Sequence, residues 1–275
     1  MASRRTMVMV VAPTFGAVFQ AAFWEHLKKL LKPEEMAPSS VTDDADVQRE
    51  RLERALAQVK PTALIAITVR PDAQTVAAYT AACVPIVLID EESPGTSTVT
   101  ADNYKGGRLA GEYLVSKGRK RIAVVSGRTQ VKGGYNAEQR LKGFQQALGA
   151  ARLSIPQGCT IEVLHYTRED GIEVMPTLLD RGVDAVFCAA GDYCAVGLLS
   201  VATERGMRIP EEIAIVGFDD LLVARLSIPR LTTIRQPLEK MAQSAYTMAV
   251  TDGERILHLP QKVVFDPELV IRQSA

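Results

Sequence analysis

The sequence predicts an α/β protein of two Rossmann-like lobes, each a parallel sheet flanked by helices. Three observations carry this. Apolar runs of about five residues alternate with helical stretches along the whole chain, the grammar of βα units. The same grammar restarts after Gly127, which gives two successive blocks. Several apolar runs also end in an acidic residue, as in Ile213-Ala-Ile-Val-Gly-Phe-Asp219. In open α/β sheets, ligands bind beyond the carboxyl ends of the strands, so these exits read as the rim of a pocket.

In the first block, Thr6 to Ala12 reads as a strand and Phe19 to Leu31 as an amphipathic helix. Lys32 to Asp46, rich in Pro, Ser and Asp, reads as a loop with one weak strand at Ser39–Val41. A charged helix over Asp46–Val59, a strand over Ala63–Val69, a helix over Asp72–Ala82 and a strand over Pro85–Asp90 follow. Gly106 to Lys117 is a helix capped by Asp102 or Asn103, and Arg121–Ser126 a strand. In the second block, helices are expected over Glu138–Ala150, Asp170–Arg181 and Ala195–Arg205. Strands are expected over Ile161–Leu164, Asp184–Ala189 and Ile213–Phe218. One more helix, Gln236–Thr251, and two short strands, Lys262–Phe265 and Leu269–Ile271, close the chain.

Composition sets the class. A chain of 275 residues, 47% hydrophobic and 23% charged, has room for one or two real cores. Lys+Arg and Asp+Glu both number 32, without the basic excess of a domain built to hold DNA phosphates. The four cysteines, Cys83, Cys159, Cys188 and Cys194, have no metal-ligand spacing and read as small buried hydrophobes in a reducing compartment. The apolar stretch Met7–Ala12 is too short for a secretory signal, and no run is long enough for a membrane span. A cytoplasmic protein without cofactor or metal is expected.

Catalytic signatures are scarce. There is no GxSxG, no phosphate-binding Walker loop, no HExxH and no GxGxxG. His26, His165 and His258 are isolated. An enzyme is therefore not expected. Binding candidates are better placed. Arg140, near the start of a helix, carries a guanidinium fork suited to neighbouring hydroxyls or a carboxylate; the plainer alternative is a surface arginine paired with Glu138. Asp102, Asp192 and Asp219 each stand at a strand-to-helix junction, where a simple capping role competes with a shared polar rim. Phe15 and Phe19, near the exit of the first strand, could stack on a ligand ring, whereas Phe23 and Trp24 read as core or interface.

Four stretches carry a family resemblance. They are Thr100-Ala-Asp-Asn-Tyr-Lys-Gly-Gly107 with Leu114–Gly127; Arg140-Leu-Lys-Gly-Phe144; Gly206–Asp220 with Leu231-Thr-Thr-Ile-Arg-Gln-Pro237; and Glu268-Leu-Val-Ile-Arg-Gln-Ser274. In this order they resemble the effector-binding core of LacI/GalR-family bacterial transcriptional regulators. The resemblance implies a periplasmic-binding-protein-like fold of type I with three crossovers, near Gly127–Gln130, Thr233–Gln236 and Leu259–Lys262. The first lobe would hold residues 1–127 and 236–258, and the second 128–235 and 259–275, with a ligand cleft between them. Residue by residue it places Asp102, Arg140, Asp192 and Asp219 at ligand-contacting or pocket-edge positions and Gln236 on a crossover facing the cleft. Two departures stand out. Gly191-Asp192 replaces the usual Asn-Asp, and the first loop, Pro13–Phe19, differs from the family pattern.

The function implied is a sensor that binds a small polar effector, such as a sugar, sugar acid or nucleobase, and acts as a homodimer. The alternative is a solute-binding protein of a transport system. Family members begin with a helix-turn-helix headpiece, and this chain begins about where that headpiece would end. DNA contact is thus expected only through a headpiece absent from this sequence.

Overall fold

The computed structural model describes residues 6–15, 18–42, 44–129, 135–253 and 259–275. They fall into two compact units. Unit 1 comprises Met1–Ala101 and Pro237–Phe265, and unit 2 comprises Asp102–Gln236 and Asp266–Ala275.

Unit 1 opens with β1 (Val8–Ala12), α1 (Val18–Leu27), β2 (Met36–Ser40), α2 (Ala45–Gln58), β3 (Ala63–Ile67), α3 (Ala73–Ala81), β4 (Ile86–Ile89) and β5 (Ser97–Ala101). Unit 2 continues with α4 (Asn103–Ser116), β6 (Ile122–Ser126), α5 (Tyr135–Ala150), β7 (Thr160–Glu162), α6 (Arg168–Asp180) and β8 (Ala185–Cys188). It runs on through α7 (Asp192–Glu204), β9 (Ala214–Asp219), the short α8 (Leu222–Leu226) and β10 (Thr232–Arg235). The chain then returns to unit 1 with α9 (Leu238–Gly253) and β11 (Lys262–Phe265), and ends on β12 (Glu268–Val270) in unit 2.

Each unit carries a six-stranded sheet. The order in unit 1 is β11-β5-β4-β3-β1-β2, parallel throughout. In unit 2 it is β12-β10-β9-β8-β6-β7, parallel except for the antiparallel edge strand β12. The central strands are buried on both faces. In unit 2 the period of two sorts them cleanly: Ala123, Val125, Val186, Cys188 and Ile215 enter one core cluster. Ile122, Val124, Phe187, Val216 and Phe218 enter the other. This is why the strands read as continuous apolar runs rather than alternating ones.

Several expectations are corrected. Residues 102–127 do not belong with the first block. Strand β6 pairs with β7 and β8, and α4 packs on α5, so this stretch is part of unit 2. The Gln130 end of the expected first crossover lies outside the described residues. The first passage from unit 1 to unit 2 falls at Ala101–Asp102. Strand β11 pairs in parallel with β5 and so stays in unit 1, and only β12 returns to unit 2. Strand β5 was not expected because Ser97-Thr-Val-Thr-Ala101 is mostly polar, yet all five residues are buried. The segment expected to be mainly loop holds β2 over Met36–Ser40, an edge strand on β1.

Two helix crossings in unit 2 rest on reciprocal glycines. On α4 and α5, Gly107 faces the backbone of Arg140 and Gly143 faces the backbone of Tyr104 so closely that a Cβ on either would overlap a carbonyl oxygen. On α6 and α7, Gly171 meets Cys194 and Gly197 meets Arg168 in the same way. Because side-chain size at the contact sets interaxial distance, these glycines fix where the N-terminal ends of α5 and α7 sit.

Candidate functional site

The sheet order of unit 2 reverses direction at β6/β8. From β6 the chain moves outward to β7, then returns to β8 and proceeds to β9 and β10. Ligands in open α/β sheets collect at such a switch point, beyond the carboxyl ends of the strands. The residues at that edge are Ser126, Ala189 to Gly191, Asp219 and Asp220, and Gln236.

Arg140, on the helix that follows β6, reaches this edge. Its Nε donates to Asn103 Oδ1 at 2.7 Å and its Nη1 to the Ala189 carbonyl at 2.9 Å. The guanidinium lies 3.7 Å from the centre of the Phe218 ring, a cation–π stack that fixes its plane. Gly106 makes room on the ring's other contacts, since a Cβ there would come within 2.8 Å of it. The arginine is thus no surface residue paired with Glu138; Glu138 pairs instead with Lys142 at 2.7 Å.

Asp219 ends β9 with φ at +104°, and Asp220 follows at +55°. Two successive non-glycine residues with positive φ store strain that the surroundings must hold in place, a pattern concentrated at functional sites. Four side chains hold it. Gln236 Nε2 donates to Asp219 Oδ1 at 2.7 Å. Arg235 Nε and Arg272 Nη2 both donate to Asp220, at 2.7 and 2.5 Å. Asp192 Oδ2 accepts from Leu221 N at 2.7 Å, pinning the chain just past the turn. The Arg140 Nη2 stops 4.0 Å from Asp219 Oδ1. Gln236 Oε1 is buried and has no hydrogen-bond partner among the described residues.

A scan against protein-family models matches residues 111–275 to the periplasmic binding protein-like domain. The HTH-type transcriptional regulator DegA of Bacillus subtilis (strain 168) is 32% identical over 193 residues, covering 70% of this chain and 56% of DegA. Among solved structures, the transcriptional regulator CelR in complex with cellobiose superposes with a TM-score of 0.82 at 28% identity, covering 100% of this chain and 86% of that one. A LacI family regulator from Enterococcus faecium with bound ribose superposes with a TM-score of 0.85 over 98% of both chains. At 23% identity it speaks for the fold alone.

The chain belongs to the LacI-type branch of the periplasmic binding protein-like family.

It spans about half the length of the curated relatives it matches. Against this LacI-type frame the expected site residues divide. Arg140, Asp219 and Gln236 meet at one strand edge of unit 2. Asp102 sits at the start of α4, where it caps the helix by accepting from Lys105 N at 2.8 Å. Asp192 is corrected from pocket rim to interior. It is fully buried, and its second oxygen accepts from Thr233 Oγ1 at 2.5 Å. Glycine at position 217 leaves the space that this carboxylate occupies. Phe15 and Phe19 belong to unit 1. Phe15 follows β1 and packs on Trp24 with ring centres 5.1 Å apart; Phe19 stacks on Phe23 at 6.2 Å.

Beside the same strand edge stands an aromatic residue that sequence reasoning did not single out. Tyr166 follows β7 with φ at +61° and is 40% exposed. Its ring packs against Gly127, where a Cβ would not fit, and its hydroxyl accepts from Arg128 N at 3.4 Å. The signal in the sequence was an aromatic one residue before a helix-capping threonine, Thr167, whose side chain accepts from Asp170 N.

Electrostatics at this edge follow from burial. Desolvation pushes the Asp219 carboxyl above the ordinary range, against the opposing pull of Arg140 and the Gln236 hydrogen bond. Asp192 is raised well above it, first by desolvation and next by the Asp219 charge, despite the hydrogen bonds from Thr233 and Leu221. Among the described residues the edge therefore offers a cationic fork, a carboxylate and an unpaired amide oxygen. Among the described residues no group of His, Cys, Asp or Glu is arranged to hold a metal. No helix among them is long and apolar enough to cross a membrane.

Proposed function

We propose that the strand edge of unit 2 binds a small, neutral, hydroxyl-rich effector, and that the chain is the sensing core of a transcriptional regulator. The observation that carries this is the buried, unpaired Oε1 of Gln236 beside Asp219. A buried acceptor without a donor costs about 1–3 kcal/mol, and a ligand hydroxyl or N–H would relieve it. Asp219 Oδ2 makes no hydrogen bond to a described residue. The 4.0 Å separation of Arg140 from Asp219 suits a ligand oxygen that accepts from the fork while its neighbour donates to the carboxylate. Vicinal hydroxyls have that pairing; sugar acids and nucleobases have it in part.

The cellobiose bound by CelR supports the same class. The departure at Gly191 bears on which sugar. A Cβ at position 191 would stand 3.1 Å from Asp219 Oδ2. The glycine, with φ at +113°, therefore leaves that oxygen open where the family's usual asparagine would crowd it.

A thermal-shift panel of mono- and disaccharides, sugar acids and nucleobases tests the reading. Ligand at a hundred times its dissociation constant stabilises by about 2.7 kcal/mol, which is roughly 5–10 °C for a chain of this size. A folded protein that responds to none of these classes would contradict it.

A further inference from the structure

The strand edge of unit 2 carries unpartnered polar atoms at β6 as well as at β9 and β10. Val124, Phe187, Val216 and Thr232 stand side by side on β6, β8, β9 and β10. Side chains in a strand return to the same face every second residue. The next row on that face is therefore Ser126, Ala189, Phe218 and Ile234. The β6–β8 ladder runs on to this level, since Ala190 N donates to the Val125 carbonyl at 3.1 Å. Ser126 thus neighbours Ala189, whose carbonyl takes the Arg140 fork, and the Phe218 ring beneath that fork belongs to the same row.

Ser126 is fully buried, and its hydroxyl has no hydrogen-bond partner among the described residues. Two residues on, the Nε of Arg128 is also buried and unpartnered among them. The backbone there is held, with Arg128 N donating to the Tyr166 hydroxyl at 3.4 Å. The carboxylate on the adjoining strand, Glu162, is engaged by the N–H and hydroxyl of Thr129.

The edge is polarised. At β9 and β10 the open atoms are acceptors, Asp219 Oδ2 and Gln236 Oε1. At β6 they are donors: a hydroxyl, which can also accept, and a guanidinium N–H, which only donates. A buried polar atom left unbonded is costly, so each end favours a bound group. From β6 to β10 the row crosses three strand spacings, about 14 Å at roughly 4.8 Å each. One sugar ring with its hydroxyls does not reach across that distance. Two linked rings do, and their hydroxyls both donate and accept.

Resting on the effector reading above, we propose that this edge takes two linked sugar rings. One ring lies at Asp219 and Gln236. The other lies at β6, where Ser126 and Arg128 donate to it and set the preference for a longer ligand.

Calorimetry with glucose, galactose and xylose, and with cellobiose, maltose, lactose and xylobiose, tests it. The wild-type chain should bind a disaccharide about tenfold or more tightly than either of its component monosaccharides. Ser126→Ala/Arg128→Ala should weaken that disaccharide by about tenfold or more, toward the monosaccharide value. Arg128→Lys combined with Ser126→Ala should restore little, because it returns the charge without the Nε donor. Ser126→Ala alone should not lower the denaturant midpoint, since it removes an unbonded hydroxyl and orphans no partner. Its loss of affinity is then not a loss of fold. Sugars that bind equally well as one ring and as two would overturn the proposal and leave the effector reading standing. So would a double variant that keeps the wild-type disaccharide affinity. Absence of binding by sugars of either length would overturn the effector reading and the proposal with it.

Discussion

The Arg140 guanidinium lies flat on the Phe218 ring yet stops 4.0 Å short of the Asp219 carboxylate. A buried arginine and aspartate this close would ordinarily close to about 2.8 Å. Here Asn103 and the Ala189 carbonyl hold two edges of the fork, and Gln236 holds the carboxylate. The opposed pair is kept open, which fits the effector proposed to sit between them.

The first prediction concerns Arg140. Arg140→Ala should weaken effector binding by about tenfold or more. It should also destabilise unit 2 by about 1–3 kcal/mol, because the Ala189 carbonyl and Asn103 lose their donor. Arg140→Lys should recover little of the affinity, since an ammonium can neither fork nor stack in the same plane. Calorimetry with the panel hit and chemical denaturation measure the two effects separately.

Two glycines on the same helix pair make a matched test. Gly107→Ala would push a Cβ into the Arg140 carbonyl, force α4 from α5 and displace the fork. It should be strongly destabilising, like other overpacked sites at about 1–3 kcal/mol. Gly149→Ala, near the end of α5, meets nothing within 4 Å and should stabilise by up to about 1 kcal/mol through helix propensity. Denaturant midpoints of the two variants should move in opposite directions.

Asp192 yields a pH prediction. Its carboxyl holds its proton to higher pH than the unfolded chain's reference value of 3.8. Above that value the unfolded state loses the proton first, so the native state binds more protons. The contribution of Asp192 to stability is therefore greatest in acid and declines as pH rises toward its own ionisation. Asp192→Asn lacks this dependence. The stability of wild type relative to Asp192→Asn should fall as pH is raised from about 4 toward neutrality. Urea unfolding of both proteins at several pH values reads this out, and a flat difference would contradict it.

The oligomer can be tested at α8. Leu222 and Leu226 are 63% and 69% exposed, and Ile228 beside them is 89% exposed. So much apolar surface in one short stretch is the mark of an interaction site. We expect a homodimer that buries it. Sedimentation at tens of micromolar should show a dimer for the wild-type chain and a monomer for Leu222→Asp/Leu226→Asp. A wild-type monomer would remove the dimer from the account.

Much of this was legible in the sequence. Strands buried on both faces give unbroken apolar runs, so β1, β3, β4, β6, β8 and β9 stood out. Strand β5 did not, because Ser97, Thr98 and Thr100 are buried, the Ser97 hydroxyl accepting from Gln261 N and the Thr100 hydroxyl donating to Asp90. Strand β10, Thr232–Arg235, hid for the same reason, its first two residues being buried threonines. The allocation of residues 102–127 failed because sequence order cannot show which sheet a strand joins. At the site, Arg140, Asp219 and Gln236 converge, while Asp192 turns inward. An aspartate after a strand can face the ligand edge or the interior, and the space left by Gly217 decides between them. Tyr166 was missed because a three-residue strand gives it almost no pattern to stand in.

The central claim is that Asp219 and Gln236 receive hydrogen bonds from a hydroxyl-rich ligand. Titration calorimetry of wild type, Asp219→Asn and Gln236→Leu with the strongest sugar from the panel tests it most directly. Each variant removes one acceptor, so each should bind about tenfold or more weakly, with circular dichroism unchanged. Dissociation constants equal to wild type in both variants would place the ligand elsewhere and contradict the account.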